Sequence, residues 1–487
     1  MSRARPVIGP RLMVAGVLVV GLLTACGAGQ QAAPPGTPGS GSTVSGSSAL
    51  SSVVSPSSSV ATAVPSPLPA SSTTPPPPPV STVPPAPEPP APVPPASVPP
   101  GGLVTPADMA QAAATVATMS LPDQAGAVIM ASSADAVGTD LVARLHLGGV
   151  ILMGSRGSID GTASGTPDQV ATVTAGLQAQ LPVGQQGAPL LIGTDQEYGL
   201  VTRLVNGFTD FPGNAELSGI PDDAVAAAST EAVTAAAGAE LLAVGINVDF
   251  APDADVLPAA GPSGVDERSF GSDPERAGSL VAAAVRGYQR AGVAATVKHF
   301  PGIGRLATDT HKALPSLDVS CADWNAVEAV PMRAGVDAGA ALVMTGHVLL
   351  PAVGATDLSS ALSSSVVTDL LRGAGRDGCT GLNFHGVTVS DSFQMAPVVD
   401  NFSLTEAAWR GVAAGQDLVL MPADPATAVS GIVDAVTAGS LPAPRLQEAA
   451  TTVYALRLAL ARVPRPGMDV VGSDAHAAVA AQARAQG

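Results

Sequence analysis

Eight short apolar runs, each followed by a longer alanine-rich stretch, divide the chain between residues 125 and 422. In order they are AGAVIMAS (125–132), GGVILMG (148–154), PLLIGTD (189–195), INVDFAP (246–252), AATVKHF (294–300), ALVMTGH (341–347), GVTVSDS (386–392) and DLVLMP (417–422). Their hydrophobicity is near-continuous rather than alternating, as in parallel strands buried on both faces. The stretches between them read as helices. Residues 222–245, DDAVAAASTEAVTAAAGAELLAVG, have acidic groups near the start and Gly245 at the end, as helix termini favour. Strand and helix alternating in this way predict the α/β class and a single (β/α)8 TIM-type barrel over residues 103–465. An open doubly wound sheet is the competing topology, but the first run is not followed by the Gly-rich dinucleotide loop that would favour it. Residues 466–487 form a C-terminal tail, either a last helix or unstructured.

The barrel is preceded by segments of a different kind. Residues 1–25 have Arg3, Arg5 and Arg11, then an apolar stretch from Leu12 to Leu23, and read as an export signal. Leu23 to Cys26, LTAC, resembles the lipobox of bacterial lipoproteins, which implies lipidation at Cys26; an ordinary signal with a chance cysteine is the plainer alternative. An acylated Cys26 would place the protein at the cell membrane, anchored only by lipid and facing the extracytoplasmic envelope. Residues 26–102 are rich in Pro, Ser and Ala, cannot bury a core, and are expected to be a disordered spacer. Cys321 and Cys379 remain, and export favours a disulfide between them, although sequence supplies no distance.

The net charge of -17 argues against a nucleic-acid partner. An aromatic content of 3% argues, more mildly, against a long groove that grips polysaccharide by stacking. No cofactor is implied, and nothing in the sequence calls for more than a monomer.

A barrel's chemistry lies at the carboxyl ends of its strands, and polar residues gather at the ends of these runs. They are Asp195, Gln196 and Glu197 after the third, Asp249, Asp253 and Asp255 around the fourth, Lys298 and His299 on the fifth, His347 on the sixth and Asp391 on the seventh. Three chemistries suit such a ring. Metal-assisted hydrolysis could use His299, His311, His347 and the aspartates, though the first run lacks the His-x-His pair usual in metal-dependent barrel hydrolases. Lys298 could serve as a buried amine in aldol or phosphoryl chemistry, but could equally donate to a sugar hydroxyl. Glycoside hydrolysis with retention needs a carboxylate nucleophile and a separate acid/base, and Asp391 with the Asp309/His311 pair offers both.

The segments IGTDQEYGLVTRL, GINVDFAPDADV, DERSFGSDPE, KHFPGIGRLATDTHKALP, MTGHVLLPAV and GVTVSDSFQM resemble, in this order, those of glycoside hydrolase family 3, in its bacterial β-N-acetylhexosaminidase branch. The resemblance runs from about Met109 to Pro422. It implies that Asp391 is the nucleophile and that His311, paired with Asp309, is the acid/base. It also implies that Asp195, Arg203, Arg268, Lys298 and His299 hold the sugar, with no metal. For Arg268, a salt bridge to Glu267 or Asp266 is the purely structural alternative. An imidazole titrates near pH ~6.5, and a neighbouring carboxylate favours its protonated form, so such a pair can donate a proton near neutrality. His347 reads as a supporting residue, and His146, His385 and His476 as bystanders. The glycines and Pro301 of KHFPGIG read as the hinge of a loop that moves. Tyr198, Leu200 and Ile303 depart from the family pattern.

The expected function is a retaining exo-β-N-acetylglucosaminidase that releases terminal non-reducing N-acetylglucosamine from peptidoglycan fragments through a covalent glycosyl-Asp intermediate. Its partner would be a small saccharide or muropeptide. The competing readings are another family 3 β-glycosidase, a glycoside phosphorylase, or a non-catalytic muropeptide-binding lipoprotein.

Overall fold

The computed structural model describes residues 102–487, apart from Val183, Gly184 and Gln186. The export signal, Cys26 and the spacer before Gly102 lie outside the described residues.

Eight parallel strands form one sheet. They are β1 (Ile129–Ser132), β2 (Gly149–Ile151), β3 (Leu191–Thr194), β4 (Val248–Asp249), β5 (Ala294–Phe300), β6 (Leu342–Thr345), β7 (Val387–Ser390) and β8 (Val419–Leu420). Hydrogen bonding runs β8-β1-β2-β3-β4-β5-β6-β7, all parallel. A parallel bridge between Val389 and Leu418 closes the ring. The result is the expected barrel, with every strand residue buried. Each apolar run contains a strand, but the first begins in a helix, Leu121–Ala127. There Ser120 and Asp123 form a capping box, which starts a helix that apolar content alone does not reveal.

Inside the barrel, Met130, Ile151, Leu191, Val248, Phe250, Leu342, Met344, Val389 and Leu420 interdigitate. Gly193 makes room for Phe250, whose ring edge lies 2.8 Å from where a Cβ would sit. The helix Ala443–Ala461 seals the amino-terminal mouth, adding Val453, Leu456 and Leu460 to the same cluster. Its buried Arg457 donates from Nε to the Pro189 carbonyl at 3.0 Å and from Nη2 to the Ala188 carbonyl at 2.8 Å, just before β3.

The outer helices follow the local signals. Asp222 caps the helix Asp223–Ala243, accepting from the Val225 N–H at 3.0 Å. Asp273 caps Pro274–Arg290, which has proline in its first turn. These two helices pack closely because their contact is built of small residues. A Cβ on Gly287 would lie 2.0 Å from Thr234 Oγ1.

The C-terminal segment is ordered against the barrel. Its helix Asp474–Arg484 brings His476 Nδ1 to 2.9 Å from the buried Glu240 carboxylate. A disulfide joins Cys321 to Cys379, whose Cα atoms are 4.5 Å apart. It ties the helix Cys321–Ala326 to a short antiparallel ribbon, Gly375–Arg376 with Cys379–Thr380. Among the described residues, no helix is long and apolar enough to cross a membrane.

Candidate active site

The strands deliver their polar ends to one cavity of about 370 Å³. All eight expected catalytic and sugar-holding residues line it: Asp195, Arg203, Arg268, Lys298, His299, Asp309, His311 and Asp391. Its floor is apolar, made by Ile151, Met344 and Leu420 from the barrel interior.

One wall is a buried ionic lattice. Lys298, at the end of β5, is 2% exposed and donates to Asp195 Oδ1 at 3.1 Å and to Glu197 Oε1 at 2.6 Å. Arg268 forks onto the same Glu197, Nε to Oε2 at 2.8 Å and Nη2 to Oε1 at 3.0 Å. Arg203 Nη2 donates to Asp195 Oδ2 at 3.3 Å and Nη1 to the Gly154 carbonyl at 2.8 Å. Burial would raise the Glu197 carboxyl, but Lys298 and Arg268 more than offset this and hold it well below the usual carboxylate range. Burial likewise opposes the charge on Lys298, yet Glu197 and Asp195 push its ammonium up to about 12. Glu197 and Lys298 thus stay charged in spite of their burial because each is paired with opposite charge. Arg268 therefore answers to Glu197, with Asp253 Oδ2 at 3.7 Å, and not to its sequence neighbours Asp266 and Glu267.

Behind the lattice lies a second set of carboxyls. His299 Nδ1 donates to Asp255 Oδ2 at 2.8 Å, and its Nε2 lies 3.3 Å from Arg268 Nη2. Asp255 Oδ1 accepts from the Ile303 N–H at 2.6 Å, and Asp253 Oδ1 accepts from the Asp255 N–H at 2.9 Å. Burial and the neighbouring Asp255 raise Asp253 to about 7. Asp249, at the end of β4, is pushed well above the usual carboxylate range by burial. Oxygen and nitrogen atoms of Asp253, Asp255 and His299 lie within 4.8 Å of one another, a spacing that could hold a metal ion. However, Asp255 and His299 already bond to each other, and the Arg268 guanidinium supplies the positive charge beside them.

Asp391 follows β7 directly. Its Oδ1 accepts from the Ser392 N–H at 2.7 Å. Burial would raise its carboxyl, but the His299 and His347 imidazoles and the Ser392 N–H keep it below the usual range, so it is ionised at neutral pH. His347, fully buried beneath, donates from Nε2 to the Ser392 carbonyl at 3.0 Å and accepts at Nδ1 from Ser359 Oγ at 2.8 Å. Burial depresses its pKa, so it is a neutral prop for the turn that carries Asp391.

Opposite stands an exposed pair on the loop after β5. His311 Nδ1 is 2.8 Å from Asp309 Oδ1, and the His311 side chain is 69% exposed. Asp309 also accepts from Lys312 Nζ at 2.9 Å. The Lys312 hydrogen bond, with those from the backbone and ring of His311, holds Asp309 far below the usual carboxylate range. With Nδ1 turned to Asp309, the His311 Nε2 carries any proton exchanged with the cavity.

Sequence reasoning placed Glu197, Asp253 and Asp255 in the strand-end ring, and the aspartates among possible metal ligands, but gave none of the three a part in building the sugar-holding wall. The available signal was their position after the third and fourth apolar runs. Of the residues that depart from the family pattern, Ile303 lines the cavity and is 6% exposed. Tyr198 is buried edge-on against Phe211 at 5.4 Å, and Leu200 is exposed. His146 and His476 pair with Asp123 and Glu240, and neither they nor His385 line the cavity.

Residues 117–456 match the glycosyl hydrolase family 3 N-terminal domain. Over 375 residues the chain is 29% identical to β-hexosaminidase LpqI of Mycobacterium tuberculosis, covering 74% of this chain and 88% of that one. It is 31% identical over 296 residues to β-hexosaminidase A of Pseudoalteromonas piscicida, covering 58% of this chain and less than half, 47%, of that protein. A glycoside hydrolase family 3 β-N-acetylglucosaminidase from a Paenibacillus species superposes with a TM-score of 0.66 at 33% identity, covering 75% of this chain and 68% of that one. An ionised carboxylate after β7, an Asp-x-His pair on the β5 loop and a lattice of sugar-sized donors on a closed barrel thus coincide with a domain match over most of the folded region, and the chain belongs to glycosyl hydrolase family 3.

Proposed function

We propose that the protein is a retaining exo-β-N-acetylglucosaminidase acting on terminal, non-reducing N-acetylglucosamine, with peptidoglycan fragments as its substrates. The observation that carries this reading is that the ionised Asp391 and the exposed Asp309/His311 pair face one cavity from different elements. A retaining glycosidase needs a nucleophile below the anomeric carbon and a proton donor beside the leaving oxygen.

In the first step an Asp391 oxygen attacks the anomeric carbon, the bond to the glycosidic oxygen breaks, and His311 Nε2 gives that oxygen its proton. In the second, His311 takes a proton from water, the water oxygen bonds to the anomeric carbon, and Asp391 is released as a carboxylate. Asp309 holds the imidazole through Nδ1 and balances its charge when protonated. Asp195, Arg203, Arg268, Lys298 and His299 provide charge-assisted bonds to the ring hydroxyls. The floor seals the cavity below, so a sugar enters end-on and only a terminal unit reaches Asp391. The relatives named β-hexosaminidase support the choice of N-acetylglucosamine. The LTAC segment at Leu23 to Cys26 supports a lipid anchor in the envelope, where peptidoglycan fragments occur.

A chromogenic β-N-acetylglucosaminide should be hydrolysed, and Asp391→Asn should lower kcat by about four orders of magnitude or more and prevent trapping by a 2-fluoro sugar. Turnover of a β-glucoside or β-xyloside alone would move the chain to another activity of the family. Formation of a sugar-1-phosphate on adding phosphate would make it a phosphorylase. Binding without turnover would make it a muropeptide-binding protein.

A further inference from the structure

The loop that carries His311 is closely bonded and packed over its first five residues. The Gly302 N–H donates to the His299 carbonyl at 2.7 Å, the Ile303 N–H to Asp255 Oδ1 at 2.6 Å, and Ser263 Oγ to the Gly304 carbonyl at 2.6 Å. Trp324, completely buried, donates from Nε1 to the Pro301 carbonyl at 2.9 Å. A Cβ on Gly302 would sit 2.4 Å from Glu328 Cγ, and one on Gly304 2.4 Å from the Val256 carbonyl oxygen. These glycines therefore allow close approach, Gly302 also at a φ of +122°, and the segment where a hinge was expected is a packed stem.

Arg305 completes the stem. Its guanidinium forks onto Glu328, with Nη2 2.7 Å from Oε2 and Nε on Oε1. Glu328 is 2% exposed, precedes the helix Ala329–Asp337, and has Arg305 as its only ion-pair partner among the described residues. Past this pair the chain is loosely held. Residues 307, 308 and 311–313 are exposed, and only Thr310 between them is buried. The segment is attached by the Gly264 N–H to the Leu306 carbonyl at 2.7 Å, by the Ala396 N–H to the His311 carbonyl at 3.3 Å, and by the Leu349 N–H to the Pro315 carbonyl at 2.9 Å. It is an arc that starts where the Arg305 fork ends.

We propose that the Arg305–Glu328 ion pair is a positioning element for His311: it fixes the origin of the arc so that the imidazole is presented to the glycosidic oxygen. The proposal rests on the reading of His311 as the acid/base. A bidentate fork suits this role, because it fixes orientation as well as distance, where an ammonium would fix only distance. Loss of the pair should therefore affect proton transfer more than sugar binding, since the binding lattice stands on β3, β5 and the Arg268 segment.

The test compares two β-N-acetylglucosaminides on the purified protein, one with a nitrophenyl leaving group and one with an alkyl leaving group that requires protonation. Arg305→Met combined with Glu328→Met removes the pair without leaving an unpaired buried carboxylate. On the alkyl glycoside its kcat should fall about 10- to 100-fold, as for a misplaced catalytic group. On the nitrophenyl glycoside kcat should change little, with KM near wild type on both. Arg305→Lys, which keeps the charge and loses the fork, should fall between. An equal fall on both substrates, or no fall in a double variant with native circular dichroism, would overturn the proposal and leave His311 in its role. A wild type that turns over neither glycoside would overturn the reading of the site, and the proposal with it.

Discussion

Lys298 and His311 belong to one short stretch of sequence and line one cavity, yet the Lys298 side chain is 2% exposed and the His311 side chain 69%. Around Lys298, cations and carboxylates interlock across β3, β5 and the Arg268 segment, and each group keeps its charge because its partners are fixed. His311 has Asp309 beside it on the same exposed arc and little else. The contrast separates recognition from chemistry. Holding a sugar favours donors already in place before it arrives, whereas a proton donor must meet a leaving group that differs from substrate to substrate.

The strongest way to break this contrast is to unpair the lattice. Glu197→Gln leaves Lys298 and Arg268 buried without their shared anion and should cost about 3–5 kcal/mol of stability, measured by denaturant unfolding. A loss below about 1 kcal/mol would mean that the lattice is not a unit. His311→Ala tests the other side. Its kcat on an alkyl glycoside should fall about 10²- to 10⁴-fold. Its unfolding free energy should stay within about 0.5 kcal/mol of wild type. A variant that loses stability as well would put His311 among the structural residues.

A smaller effect sharpens the picture behind the lattice. Asp253 is raised to about 7 by burial and by Asp255. Between the ordinary carboxylate range and pH 7 the folded protein thus holds a proton that the unfolded chain has released, so this group's contribution falls as pH rises through that window. Asp253→Asn removes that slope. Relative to wild type, the variant should gain up to about 3 kcal/mol between pH 4.5 and 8. An unchanged difference across that range would show that Asp253 is ionised in the fold throughout.

The barrel and the strand-end residues that line its cavity were largely legible in the sequence, because both depend on short-range pattern, whereas Arg203, Arg268 and the roles expected of the others came from the family resemblance. An apolar run ending in Asp, Lys or His marks a strand and its carboxyl end at once, which is how Asp195, Lys298 and Asp391 could be identified. Pairing was not legible. Arg268 has two acidic neighbours in sequence, but its partner is Glu197, 71 positions away, brought close by barrel closure. Nor could the role of Gly302 and Gly304 be read, since a glycine that bends and a glycine that lets Glu328 or Val256 approach are the same letter. Trp324 and Glu328 lie beyond the motif, and only the folded loop brings them under it.

The helix Ala443–Ala461 sets one further condition on the proposed reaction. Val453, Leu456 and Leu460 stopper the barrel at its amino-terminal mouth, so the cavity is a cul-de-sac. In the proposed reaction both products therefore leave on the carboxyl-terminal side of the barrel. The part of the substrate outside the scissile bond has to leave before water can reach the sugar held on Asp391, and the sugar itself goes last. The covalent intermediate fixes that order, and the filled barrel, backed by a helix that touches neither reactant, confines both departures to the face that carries His311.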